Sequence, residues 1–155
     1  MTIKQINDEK WLTLAIAEAK KAEQIGEVPV GAVLVGEEEQ LIATAHNQPI
    51  STHNATAHAE IEVLKRAGLV RQNYRLPNTT LYVTLEPCPM CAGALIHARV
   101  SRVVFAAKDF RTGACGTVFC LHNSKVLNHR FEAVFMEDSH YIARLKAFFQ
   151  RKRCE

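Results

Sequence analysis

Thr80-Leu-Tyr-Val-Thr-Leu-Glu-Pro-Cys-Pro-Met-Cys91 is the stretch on which the reading of the chain turns. Its first six residues are β-branched, aromatic or apolar, the composition of a strand. Pro89 then sits where a helix welcomes proline, at its first position, and an almost wholly apolar helix follows to about Ala98. Cys88 becomes the cap of that helix and Cys91 lies one turn inside. Residues at i and i+3 share a face, so both sulfurs can reach one metal. The partial positive charge of the helix N-terminus favours thiolate over thiol. A Cys-x-x-Cys pair alone is read equally well as a redox couple or as an accident. A third donor, His58, stands thirty positions earlier, and Glu60 follows it by two. Three ligands with an open fourth position for water describe a catalytic zinc site. Alone, His58 reads as an ordinary hydrogen-bonded histidine, and Glu60 as a first-turn glutamate facing the helix dipole.

Working outward, Asp8 to Ile25 carries a helical stripe of Trp11, Leu12, Ala15, Ile16, Ala19 and Ala22, with Lys10, Glu18, Lys20, Lys21 and Glu23 mostly opposite. Gly26 is the stop. Val30 to Val35 is short and nearly all apolar, as in a strand buried on both faces. A turn at Gly36 to Gln40 leads to a second strand, Leu41 to His46, completing a hairpin. Asn47 to Thr52 reads as loop. A helix is expected from Thr56, its cap, to Ala67, ended by Gly68. On an ideal helix the i,i+2 spacing turns Glu60 away from His58, so both can face one point only at the helix end. Downstream, Arg71 to Thr79 is a polar connector, and Val100 to Ala107 a strand. Lys108 to Gly116 is a loop, Leu121 to Arg130 is irregular, and Phe131 to Met136 is a last strand. Asp138 or Ser139 caps a closing helix to about Lys152. Helices alternating with strands after a hairpin predict an α/β fold: three layers, α/β/α, around a central mixed sheet of about five strands, with residues 1–155 forming a single domain.

Composition excludes several classes. With 155 residues, 48% hydrophobic and 23% charged, the chain has the makings of an ordinary globular core. No apolar run approaches a membrane span, and the first ten residues do not read as a secretory signal. The Cys154-Glu155 ending is not a prenylation box. Five cysteines suit reduced, cytoplasmic thiols, with Cys115, Cys120 and Cys154 spare. The formal net charge of +3 is modest, but Arg144, Lys146, Arg151, Lys152 and Arg153 crowd the last dozen residues.

Taken together, His-x-Glu followed by Pro-Cys-x-x-Cys resembles the signature of the zinc-dependent cytidine/deoxycytidylate deaminase superfamily. Two thiolates and a neutral imidazole leave zinc formally neutral, so water there is acidified less than by three histidines and needs a nearby base. The resemblance implies one zinc ion per subunit on His58, Cys88 and Cys91, with Glu60 as proton shuttle. More narrowly, the chain resembles the bacterial tRNA-specific adenosine deaminases. The stretches that carry this are Gly26-Glu-Val-Pro-Val-Gly-Ala-Val33, Ala45-His-Asn-Gln-Pro49, Thr56-Ala-His-Ala-Glu60, Leu81-Tyr-Val-Thr-Leu-Glu-Pro-Cys88, Ala92-Gly-Ala-Leu-Ile-His97, Val103-Val-Phe-Ala-Ala-Lys-Asp109 and Asn128-His-Arg130. It implies a cytidine-deaminase-like fold and hydrolytic conversion of the wobble adenosine of an arginine tRNA to inosine, with release of ammonia. It also implies a homodimer. Asn47 would bind the target base and Asp109 would lie by its ribose. His122, Asn123, Asn128 and Arg130 would line the surface for the anticodon stem-loop, and the closing helix would offer Phe149, Arg151 and Arg153 to the RNA.

Blander readings remain beside these. Asn47 before Gln48-Pro49 is a good turn residue. Asp109 can pair with Lys108 or Arg111. Of Phe148 and Phe149, one is expected to pack inward and the other to face RNA. The basic tail can be a solvated end, though basic groups beside aromatics suit phosphates and splayed bases. Two other functions compete. One is a free-base or nucleoside deaminase acting on cytosine or guanine, which shares the zinc motif. The other is a zinc-stabilised RNA-binding module without catalysis, against which Glu60 speaks.

Overall fold

The computed structural model describes residues 1–155. Five helices and five strands alternate as α1 (Ile3–Gln24), β1 (Gly31–Val35), β2 (Leu41–His46), α2 (Pro49–Thr52), α3 (Ala59–Arg71), β3 (Thr80–Leu85), α4 (Pro89–His97), β4 (Arg102–Ala107), β5 (Glu132–Phe135) and α5 (Ser139–Arg153). One mixed sheet results, in the order β2-β1-β3-β4-β5. β1 is antiparallel to both its neighbours, while β3, β4 and β5 run parallel. Four strands therefore point one way and only β1 opposes them. The carboxyl ends of β2, β3 and β4 gather on one edge, where ligands of open α/β sheets bind.

Strand alternation builds the layers. Ala32, Leu34, Leu81, Val83, Val103 and Phe105 face α3 and α4 in one apolar cluster. Val33, Val35, Tyr82, Val104 and Ala106 face the other way, against Trp11, Leu12, Ala15 and Ala19 of α1 and Tyr141 of α5. Each such large side chain withdrawn from water stabilises by about 1.5–3 kcal/mol. α1 lies so close to β1 that a Cβ on Gly31 would stand 2.1 Å from the Ala15 carbonyl oxygen. Only glycine fits there.

Local boundaries differ from the sequence reading in informative ways. α1 begins at Ile3, because Thr2 and Gln5 form a reciprocal capping box. Glu18, expected on the outer face, is buried, with Lys21 reaching it at 2.9 Å. The segment after Asn47 is not all loop: Glu27 accepts hydrogen bonds from the Ile50 and Ser51 backbone N–H groups (3.1 and 2.7 Å) and nucleates the short α2. α3 starts at Ala59 and not near Thr56, and it runs through Gly68 to Arg71, where Gln72 at φ 52° makes the left-handed stop. Leu121–Asn123 forms a 3-10 turn within the irregular segment. Asp138 is the cap of α5, accepting from the Tyr141 N–H at 2.9 Å.

A buried ion pair ties α1 to the sheet. Arg102 donates to both carboxylate oxygens of Asp8 (2.8 and 2.6 Å), and the Tyr82 hydroxyl adds a third bond at 2.8 Å. Burial alone would raise the Asp8 carboxyl, but these hydrogen bonds and the Arg102 charge hold it below the usual carboxylate range.

Candidate metal centre

Two helix N-termini meet at the carboxyl edge of the sheet. His58 is the cap of α3, with extended backbone (φ −68°, ψ 153°), and Cys88 is the cap of α4 (φ −75°, ψ 172°). Pro89 opens α4 as the sequence predicts, and Cys91 lies one turn in. The His58 Nδ1 atom stands 3.7 Å from the Cys88 sulfur and 3.4 Å from the Cys91 sulfur. All three donor atoms fall within 4.8 Å of one another. Ligands about 2.3 Å (sulfur) and about 2.0 Å (nitrogen) from a tetrahedral zinc stand about 3.5 Å apart. The residues thus fit zinc in donor type and in spacing, and Nδ1 is the ring nitrogen that faces the two sulfurs.

The difficulty of the i,i+2 spacing disappears in this arrangement. His58 is outside the helix as its cap and Glu60 is the second helical residue, and the Glu60 carboxyl interacts with His58, Cys88 and Cys91 alike. Glu60 is 4% exposed. Burial pushes its carboxyl up to about 7, with the His58 charge acting in the opposite direction. Such a group takes or gives a proton at neutral pH. Among the donors, hydrogen bonding from Cys91 and from His58 brings the Cys88 thiol down to about 4, against its burial. Cys91, sharing that hydrogen and buried, is driven up. His58 is raised chiefly by its hydrogen bond to Cys88. The opposite shifts of the two thiols favour a single thiolate in the pair, and a dication held by both sulfurs would favour the second.

Asn47 lies against this centre. It is 8% exposed, and its Oδ1 accepts the Ala59 N–H at 2.7 Å. It therefore satisfies the first orphan donor of α3. With its oxygen occupied, the side-chain NH₂ is what remains to offer a ligand. Asp109, just past β4, is committed within its own loop: one oxygen accepts from the Arg111 and Thr112 N–H groups (2.9 and 3.1 Å), the other from the Thr112 hydroxyl at 3.2 Å.

The RNA-surface candidates are scattered more widely. Asn123, Asn128 and Arg130 are exposed and His122 is half-buried, all in the segment from Leu121 to Arg130. His122 packs by Phe131, with ring centroids 6.1 Å apart. Phe148 is buried at 4%, whereas Phe149 is 41% exposed, the division expected of the pair. Arg151 is engaged by Glu23 of α1 at 2.9 Å, as is Arg144 at 3.0 Å. Arg153 is exposed.

Three supporting residues escaped the sequence reading. Glu86, 2% exposed, collects the N–H groups of Asp109 (3.1 Å), Cys115 (3.0 Å) and Thr117 (3.2 Å), and the Thr117 hydroxyl. It clamps the whole loop after β4 beside the cysteine turn, and a Cβ on Gly113 would stand 2.5 Å from its carboxyl carbon. Glu27 does the same for the turn after Asn47. His129 anchors the irregular segment by its Nε2 contact with the Val100 carbonyl oxygen at 2.7 Å. An acid next to an apolar strand end was the available signal for Glu86.

Comparison with known proteins bears on the same residues. Residues 5–107 match the family described as the cytidine and deoxycytidylate deaminase zinc-binding region. The tRNA-specific adenosine deaminase of Haemophilus influenzae is 46% identical over 151 residues, covering 96% of this chain and 86% of the relative. The chain belongs to the tRNA-specific adenosine deaminase family. Its Bacillus subtilis relative of that name is also 46% identical, over 94% of this chain and 91% of its own length. A solved structure from a study of A-to-I editing by tRNA:A34 deaminases at the wobble position of transfer RNA superposes with a TM-score of 0.79 at 37% identity, covering 83% of this chain and 98% of that one. A guanine deaminase from Bacillus subtilis is more distant, with a TM-score of 0.62 and 27% identity over 92% of this chain and 93% of its own.

Proposed function

We propose that this tRNA-specific adenosine deaminase family member hydrolyses the wobble adenosine of a tRNA to inosine, releasing ammonia. The observation that carries the reading is the convergence of the His58, Cys88 and Cys91 donor atoms to within 4.8 Å of one another, beside a buried Glu60. Zinc bound there supplies a Lewis acid that prepares water for attack on the ring carbon bearing the amine. The chain's own residues do the rest. Glu60 accepts a proton from the water and delivers it to the neighbouring ring nitrogen; it then takes the second proton, from the hydroxyl just added to the ring carbon, and passes it to the departing amine, which leaves as ammonia. A carboxyl brought near neutrality by burial is suited to both directions. Asn47, its oxygen tied to Ala59, presents NH₂ to an acceptor on the base. Asp109, held by its own loop and by Glu86, is assigned to the target ribose. Asn123, Asn128, Arg130, Phe149 and Arg153 form the outer RNA surface, with His122 beneath it. Arg151 joins them by exchanging Glu23 for phosphate.

A homodimer in the cytoplasm completes the proposal. Gly93 and Ala94 of α4 are half-exposed, and a Cβ on Gly93 would meet nothing within 4 Å, which leaves room there for a second copy. The experiment that tests the reaction is Glu60→Ala, with turnover on an anticodon stem-loop, RNA affinity and zinc content measured together. The expected result is retained zinc and RNA binding with kcat lower by about a thousandfold. Unchanged turnover removes Glu60 from its role. Assaying free adenosine, cytosine and guanine beside the stem-loop decides the substrate class, and preference for a free compound rejects the tRNA reading.

A further inference from the structure

The loop after β4 carries a second pair of cysteines that the metal centre does not use. Cys115 is buried, Cys120 is exposed, and neither is in a disulfide. They face each other as partners in an isolated antiparallel bridge. The hydrogen bonds flank this pair without joining it: the Leu121 N–H donates to the Ala114 carbonyl (3.0 Å) and the Gly116 N–H to the Phe119 carbonyl (2.9 Å). That pattern marks the non-hydrogen-bonded kind of cross-strand pair, with side chains on one face and Cα atoms about 4.5 Å apart. A disulfide spans Cα separations of about 4.4–6.8 Å, so the backbone already meets its requirement. The register is enforced from outside the ribbon, because Glu86 holds the N–H groups of Cys115 and Thr117. Gly116, at φ +123°, supplies a turn that other residues rarely adopt.

We propose that Cys115 and Cys120 form a reversible thiol-modification site, a dithiol that closes to a disulfide on meeting a low-molecular-weight disulfide of the glutathione type. The exposed Cys120 sulfur, as thiolate, attacks one sulfur of glutathione disulfide. The S–S bond breaks, and the departing glutathione takes up the proton Cys120 gave away. Cys115 then attacks the Cys120 sulfur of this mixed disulfide, its proton leaving with the second glutathione. The two protein thiols lose two electrons, and glutathione disulfide gains them to become two glutathiones. Burial pushes the Cys115 thiol up, which makes Cys120 the first to react and Cys115 the resolving partner. The cross-link lies next to the metal centre in the chain's architecture. Ala114, beside Cys115, donates its N–H to the Pro87 carbonyl (2.8 Å), and Cys120 leads directly into His122 and Asn123. Closure pins the segment after Asp109 to the one before His122. The thiol chemistry is independent of the reaction at Glu60.

The test uses the zinc-loaded full chain in glutathione buffers of stepped oxidised-to-reduced ratio, read by intact mass, peptide mapping and zinc content. The expected result is a Cys115–Cys120 cross-linked peptide with zinc retained, reversed by dithiothreitol. The melting temperature of the cross-linked form should be higher by about 5 °C, since a short closed loop restricts the unfolded chain. Cys120→Ser, at an exposed position, should give no cross-link. Cys115→Ser should accumulate glutathione on Cys120 for want of a resolving thiol. The proposal is overturned by wild-type protein that keeps glutathione on Cys120 or that pairs Cys120 with Cys154. It is equally overturned by a chain that forms a Cys88–Cys91 disulfide with loss of zinc, or that stays reduced in fully oxidised buffer.

Discussion

Replacing Glu86 with glutamine changes one atom in the heavy-atom framework and reverses a hydrogen-bonding role. The carboxylate accepts four hydrogen bonds, two at each oxygen: the Asp109 N–H and the Thr117 hydroxyl at Oε1, the Cys115 and Thr117 N–H groups at Oε2. An amide keeps one oxygen and turns the other position into a donor: with the NH₂ at Oε2 the Cys115 and Thr117 N–H groups both lose their acceptor, and with it at Oε1 the Thr117 hydroxyl can turn to accept, so that the Asp109 N–H alone is left. Each unmet buried donor costs about 1–3 kcal/mol, and bonds to a charged group lie at the upper end. Partial exposure of Asp109 and Thr117 lets water recover some of that loss. The net expectation is about 2 kcal/mol, or a melting temperature lower by about 6 °C in a domain of this size. The damage is local to the loop carrying Asp109, so function should split: KM for an anticodon stem-loop rises more than kcat falls, and zinc content is unchanged. Thermal unfolding, steady-state kinetics and metal analysis on Glu86→Gln check this. A variant with wild-type melting and wild-type KM would falsify the clamp.

Further expectations concern the pair under α1, the metal and the tail. Arg102→Met leaves Asp8 buried with only Tyr82, and should cost about 3–5 kcal/mol in urea unfolding; a loss below 1 kcal/mol would place the pair among weak surface bridges. In the wild type the folded Asp8 carboxyl lies below its unfolded value. Its contribution is therefore complete above the ordinary carboxylate range and fades as acidification passes through the folded value, and this part of the acid dependence should vanish in Asp8→Asn. Zinc uptake by the metal-free chain at neutral pH should release about one to two protons, from raised His58 and from the remaining thiol of the Cys88 and Cys91 pair; calorimetry in buffers of different ionisation enthalpy reads the number, and zero refutes the ligand set. Truncation after Gln150 removes Arg151, Lys152 and Arg153 and should weaken RNA binding, with a shallower salt dependence by about one for each lost phosphate contact; an unchanged slope would show the tail to be a solvated end.

Much of the fold was legible because its signals are local. Six apolar residues in β1, the hairpin after it, and Pro89 at the start of α4 each act within a few positions. The boundaries that differ do so where a distant group supplies what the local chain lacks. α3 starts at Ala59 because Asn47, twelve residues back, accepts its first N–H. α2 forms because Glu27 serves its backbone donors from the far side of the hairpin. Glu18 and Asp8 look like surface residues in any helical pattern, yet the packing of α1 on the sheet buries both.

The sequence by itself determined the chemistry: two cysteines one helical turn apart, a histidine and an acid dictate donor types and a proton carrier, because those properties belong to the side chains. Only the tertiary structure decided that His58 stands outside its helix as a cap, which brings its Nδ1 within 3.7 Å of both sulfurs and lets the Glu60 carboxyl interact with the same three residues. It also decided which acids hold the site together. Glu86 and Glu27 bind donors more than twenty positions away in sequence, and spacing along a chain carries no record of an approach that only the folded sheet creates.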